Sequence, residues 1–175
     1  RTDVMAISGT GATTSVQTVK NGDGTTRSVT TVVQSADTLV KTASADLDGD
    51  GDIDLVTVDA TVIAADGSRV GTVTATNTDA SVRSLMRETL GADKVTAETW
   101  VDLNQDGVFQ ATDQVRQVTV GATQARTETT WARNPDGSVR AVSVAVTSAD
   151  GLVTNSTIDA DGDGDTDTSV SDITT

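Results

Sequence analysis

The chain of 175 residues contains no cysteine and no histidine. Without cysteine, no disulfide holds the fold and thiol chemistry is excluded. Without histidine, the usual near-neutral general base and the commonest transition-metal ligand are both missing. Aromatic residues make up only 2% of the sequence, as Trp100, Trp131 and Phe109, so a thick aromatic core cannot form. The 12 Lys and Arg are scattered, which leaves no basic footprint for nucleic acid and no patch for an anionic membrane. No apolar run reaches the length of a membrane span, so membrane insertion is not expected. Arg1-Thr2-Asp3 does not open a signal peptide, and the chain starts and stops mid-pattern, as a segment of something longer would.

What the chain has is acid. Its formal net charge is −14, and 13 of its 26 acidic residues fall in three short stretches, counting Asp113 just after the second. The first runs Asp46-Leu-Asp48-Gly-Asp50-Gly51-Asp52-Ile53-Asp54. The second is Asp102-Leu-Asn104-Gln-Asp106-Gly107-Val108-Phe109-Gln110. The third is Asp159-Ala-Asp161-Gly-Asp163-Gly164-Asp165-Thr166-Asp167. Oxygen-bearing side chains at alternate positions, with Gly at the sixth, are the pattern of a calcium loop, since Ca²⁺ takes six to eight oxygens. Side chains at positions 1, 3, 5 and 9 and the carbonyl at position 7 are the expected ligands. These are Asp46, Asp48, Asp50, Asp54 and the Asp52 carbonyl in the first loop. The second offers Asp102, Asn104, Asp106, Gln110 and the Val108 carbonyl. The third offers Asp159, Asp161, Asp163, Asp167 and the Asp165 carbonyl. About three Ca²⁺ sites are therefore expected. Ile53 and Phe109, at position 8, are expected to pin their loops to the core, while Thr166 is not.

The bidentate Glu usual at position 12 is missing. Thr57, Asp113 and Val170 stand there, and only Asp113 offers a carboxylate. The first and third loops must complete their shells with water or with a nearby group such as Asp59 or Asp172. Affinities at the weak, extracellular end of the range, roughly 10⁻⁴–10⁻³ M, are expected.

The loops start 56 and 57 residues apart, which makes them the markers of a repeat. Asn21–Thr61 aligns without a gap on Asn134–Thr174 with 20 identities in 41 positions, and Asn77–Gln110 aligns on Asn21–Asp54 with 10 in 34. The units are residues 1–20 (the second half of a repeat), 21–76, 77–133 and 134–175 (a first half). Each full repeat carries an Asn-x-Asp turn, a small Ala-Asp turn, the calcium loop and a final turn such as Ala65-Asp66-Gly67-Ser68, of which Gly121-Ala122-Thr123 is a degenerate copy. Period-two runs such as Val142, Val144 and Val146 lie between, and alternation bounded by Asp-Gly turns signals hairpins. The fold class expected is all-β: tandem four-stranded antiparallel repeats forming an elongated meander or thin sandwich, with incomplete β-propeller blades as the alternative. Such a chain builds a thin core from β-branched side chains. Asp79–Gly91 reads locally as a capped helix with Val82, Leu85, Met86 and Leu90 at helical spacing, yet the gapless register makes it a strand.

The Asn134-to-Arg140 turn, the Ser148-to-Leu152 turn and the Asp-x-Asp-Gly-Asp-Gly loops resemble the Thr-rich, Asp-Gly-rich repeats of giant secreted bacterial adhesin and biofilm-matrix proteins of the RTX-type secretion class. The nonapeptide of the calcium β-roll does not occur. The resemblance implies export to the bacterial cell surface, calcium-dependent folding outside the cell, and a structural, filament-forming or surface role beside neighbouring repeats or copies of itself. Asp46–Val58 also looks like the calcium hairpin of integrin-type propeller blades. A ligand-binding adhesin module, with Trp100 and Trp131 stacking on glycan or meeting a protein, is the second functional reading. Catalysis is not expected, because the close carboxylates are accounted for by metal, and Glu88, Glu98 and Glu128 are isolated on strand faces.

Overall fold

The computed structural model describes residues Arg1–Thr175 and is almost entirely strand. The strands are β1 (Thr2–Ile7), β2 (Thr13–Lys20), β3 (Thr26–Gln34), β4 (Val40–Asp46), β5 (Leu55–Ile63), β6 (Arg69–Asn77) and β7 (Val82–Leu90). They continue as β8 (Ala97–Val101), β9 (Gln114–Val120), β10 (Arg126–Arg133), β11 (Val139–Thr147), β12 (Val153–Asp159) and β13 (Thr168–Ile173). One 3₁₀ turn, Ala111–Asp113, precedes β9. Strand order in the single sheet follows sequence order from β1 to β13, so the architecture is an open antiparallel meander. Neither a second stacked sheet nor separate four-stranded blades are formed. Connections this short can only join antiparallel neighbours, because a parallel crossover needs a dozen or more residues.

Local chemistry writes the turns. In the Asn-x-Asp turns the Asn carbonyl accepts the amide of the third residue along, at Gly24, Ala80 and Gly137. The Asn side-chain amide meanwhile donates to the hydroxyl of Thr25, Ser81 or Ser138 at 2.9–3.0 Å. The Asp between them accepts both the amide and the hydroxyl of that same residue, as Asp136 does from Ser138 at 3.0 and 2.6 Å. Asp37 and Asp150 do the same work in the second turn, where Ser35 and Ser148 donate their hydroxyls at 2.5 Å. These hydrogen bonds favour the ionised carboxylate. Hydroxyl donation first, and backbone amides second, hold Asp23, Asp37, Asp66, Asp79, Asp136 and Asp150 below the ordinary value of 3.8. For Asp93 the amides of Val95 and Thr96 lead.

The segment with helical spacing is β7, a strand, as the repeat register requires. Pairing with β8, Met86 opposite Val101 and Leu90 opposite Ala97, overrides the local helical signal.

The chain forms two compact units, one of Arg1–Val62 with Gly71–Leu85 and the other of Ile63–Val70 with Met86–Thr175. In the first, the ladder aligns Val4, Val16, Thr31, Ser44 and Val56 in one cross-strand row. In the second, Thr129, Val144, Thr157 and Ser169 form the equivalent row. Val118 and Ala75 are the only apolar residues that become buried, and Val118 alone is enclosed, between Ala97 and Glu128 on its flanking strands. The core is as thin as the composition demands. Glu128 is not isolated: it pairs with Arg116 at 2.7 Å and Arg126 at 2.6 Å. Glu98 is not isolated either, since it accepts from Trp100 Nε1 and Gln117 Nε2.

Candidate metal loops

Each acidic stretch links two adjacent strands: β4 to β5, β8 to β9, and β12 to β13. The first loop is organised by its first residue. Asp46 is 4% exposed and accepts the amides of Gly49 at 2.6 Å and Gly51 at 3.1 Å, one on each carboxylate oxygen. Asp48 and Asp50 then each accept the amide two residues on, at 3.2 and 2.9 Å. Asp54 closes the loop by accepting the Leu47 amide at 2.7 Å. The third loop repeats every one of these bonds: Asp159 to Gly162 and Gly164, Asp161 to Asp163, Asp163 to Asp165, and Asp167 to Ala160.

This arrangement gathers carboxylate oxygens. Those of Asp46, Asp48 and Asp50 lie within 4.8 Å of one another, and so do those of Asp159, Asp161 and Asp167. Two oxygens on one ion cannot be farther apart than twice the metal–oxygen bond, about 4.6–5.2 Å for Ca²⁺. Both groups meet that condition. Three hard, anionic oxygens beside exposed loop carbonyls form a donor set that fits a hard divalent cation and not a soft one. Asp52 and Asp165 sit at the position whose carbonyl would face the ion.

The fourth position of the loop was not singled out from sequence, yet it is constrained. Gly49 and Gly162 have φ of +80° and +78°, and a Cβ on either would run into the backbone carbonyl that begins the strand two back, Thr26 or Val139. The loop therefore lies against that strand's start. Gly51 and Gly164, which the motif does single out, have φ of +101° and +96° but face open space.

Asp59 and Asp172 do not complete the shells. Asp59 lies opposite Lys41, on the other sheet face from Asp46, and Asp172 lies opposite Thr154, on the other face from Asp159. Ile53 does not pin its loop, being 42% exposed.

The second loop keeps positive φ at its fourth and sixth positions and changes the side-chain chemistry. Asp102, 4% exposed, accepts the amides of Asp106 and Gly107, and Gln105 takes the fourth position at φ +60°. The closing role of Asp54 and Asp167 passes to Asp113, which is 2% exposed and accepts the amides of Leu103 at 3.4 Å and Gln110 at 2.8 Å. Gln110, the sequence counterpart of Asp54, instead donates its side-chain amide to Asp106 at 2.6 Å. Asn104 donates to the same Asp106 oxygen at 3.0 Å. Val108 is 61% exposed. Asp102, Asp106 and Asp113 do not form a close carboxylate group of the kind seen in the other two loops.

Phe109 does pin the second loop. It meets Trp100 edge-on at 6.5 Å, and the Arg87 guanidinium stacks on both rings at 4.8 and 4.9 Å. Trp131 is half-buried under Arg133 at 5.7 Å. Both tryptophans thus pack against their own chain. Comparison with protein-family models, with curated proteins and with solved structures found no match.

Proposed function

We propose that this chain is a non-enzymatic structural repeat module whose sheet is stapled by Ca²⁺, part of a secreted bacterial surface or biofilm-matrix protein that works beside neighbouring repeats or further copies of itself. The observation that carries the reading is the convergence of the Asp46–Asp48–Asp50 and Asp159–Asp161–Asp167 oxygens within one ion's reach. Calcium is the ion of choice because all the donors are oxygen, the ligands come from one flexible loop, and Mg²⁺ demands a stricter octahedron and keeps its waters. The surface location follows from the resemblance and from the weak affinity such loops have. Calcium is scarce where the chain is made and abundant outside, so the same sequence stays loose before export and stiffens after it.

The mechanism is linkage. An ion bound only by the folded chain adds RT ln(1 + [L]/Kd), about 2.7 kcal/mol per site at a hundredfold excess over Kd. Two such sites raise the melting midpoint of a chain this size by about 10 °C or more. Thermal melts of the chain in about 10–100 mM Ca²⁺, a hundredfold over a Kd of roughly 10⁻⁴–10⁻³ M, and in chelator check this directly. An unchanged midpoint sinks the calcium reading.

A further inference from the structure

We infer that the second loop, Asp102–Asp113, is a metal-independent latch: its two side-chain amides do the work that a cation does in the other two, and Arg87 packs the loop in place. The contrast with those loops rests on the calcium reading above; the latch itself does not.

The argument starts from charge. The first and third stretches carry five carboxylates each, whereas the second carries three, Asp102, Asp106 and Asp113. In the first loop every hydrogen bond to a carboxylate comes from a backbone amide, so no side chain neutralises the converging oxygens. In the second, Asn104 Nδ2 and Gln110 Nε2 both donate to Asp106 Oδ2. That oxygen stands at position 5, where Asp50 contributes to the first group. Two N–H donors aimed at one carboxylate oxygen stabilise it much as a cation would, and the Asn104 carboxamide oxygen, the atom that would ligate, accepts the Asp106 amide instead.

The remaining carboxylates are already satisfied. Both oxygens of Asp102 and both of Asp113 accept backbone amides. The 3₁₀ turn at Ala111–Asp113 makes this possible, because it brings the Asp113 carboxylate back onto the Gln110 amide and leaves the Gln110 side-chain amide to donate to Asp106. Packing from β7 completes the device. Arg87 is sandwiched against Phe109 of the loop and Trp100 of β8, and its Nε is enclosed with no hydrogen-bond partner. An arginine so placed serves as packing on the rings. Asn104, Gln110, Arg87 and Phe109 have no equivalents in the other repeats, where the aligned residues of the first are Asp48, Asp54, Thr31 and Ile53. Three of the four changes lie on the loop itself, and the fourth, Arg87 on β7, packs on it.

The consequence is a chain of mixed dependence. Removing Ca²⁺ loosens the first and third loops while the β8–β9 hairpin keeps its shape. Hydrogen exchange of the full chain, read by mass spectrometry in Ca²⁺ and in chelator, tests it. Peptides covering 47–54 and 160–167 are expected to exchange about tenfold faster or more in chelator, and those covering 103–113 to change less than about twofold. Parallel loss of protection at 103–113 overturns the latch. If no segment responds, the calcium reading fails and a second arm decides the latch. In Asn104→Asp with Gln110→Glu, both donors become acceptors, and exchange at 103–113 in chelator is expected to rise about tenfold or more. Unchanged exchange there overturns the latch, with protection across 126–147 serving as the check that the variant is folded.

Discussion

Gly49 and Gly51 stand two residues apart with φ of +80° and +101°, yet they answer to different constraints. At Gly51 a side chain meets only open space, so Gly51→Ala carries the left-handed penalty alone, about 1 kcal/mol. At Gly49 a side chain also collides with the Thr26 backbone, which must move. Gly49→Ala is therefore expected to lower the unfolding free energy by about 2–4 kcal/mol, clearly more than Gly51→Ala, in denaturant titrations of both variants. Equal losses contradict the packing of the loop against the start of β3. The motif made Gly51 legible in the sequence. It could not flag Gly49, whose constraint comes from a residue more than twenty positions away. Asp113 was legible as the one carboxylate at position 12, but its closing role was not: the gapless alignment ends at Gln110, and only the 3₁₀ turn after it shows that Asp113 takes the place of Asp54.

Among the elements, the turns set the response to acid. Seven turn aspartates have folded values below 3.8, held there chiefly by Ser and Thr hydroxyls and backbone amides. A depressed carboxylate stabilises the fold at every pH above its unfolded value. That contribution fades as pH drops through 3.8 toward the lower folded value. Midpoints measured in chelator should thus stay level from neutral pH to about 5 and fall below about 4. Ser35→Ala with Ser148→Ala, which removes two of the hydroxyl donors, should make that fall shallower. A fall as steep in the variant as in the parent argues against the hydroxyl cause. The Arg87 stack is the other element-scale device. Arg87→Ala is expected to cost about 1–3 kcal/mol, since it strips two ring contacts and bares Phe109. Arg87→Lys should recover only part, because a compact ammonium cannot cover both rings. Urea titrations of the three proteins separate these outcomes. The strands and turns were readable because period-two alternation and Asp-Gly punctuation act locally. The stack was not, because Arg87, Trp100 and Phe109 meet only once β7 and β8 are in register.

For the molecule as a whole, a thirteen-stranded meander that buries only Ala75 and Val118 has little apolar core to hold it together. Its order rests on ladder hydrogen bonds, on turns that satisfy their own polar groups, and on whatever keeps the acidic loops from repelling themselves open. The fold class was legible because the 56- and 57-residue spacing of the loops constrained every segment at once, even the helix-like Asp79–Gly91. The division into two compact units was not legible, since nothing in the repeat marks a break inside β5, β6 or β7. The central claim is that carboxylates gathered at the first and third loops hold calcium. Calorimetric titration of chelator-stripped chain with Ca²⁺ tests it most directly. Binding of two ions per chain, with Kd of about 10⁻⁴–10⁻³ M and abolished loop by loop in Asp48→Asn with Asp50→Asn and in Asp161→Asn with Asp163→Asn, is the expected result. No binding in that range, or binding that survives both pairs of substitutions, contradicts it.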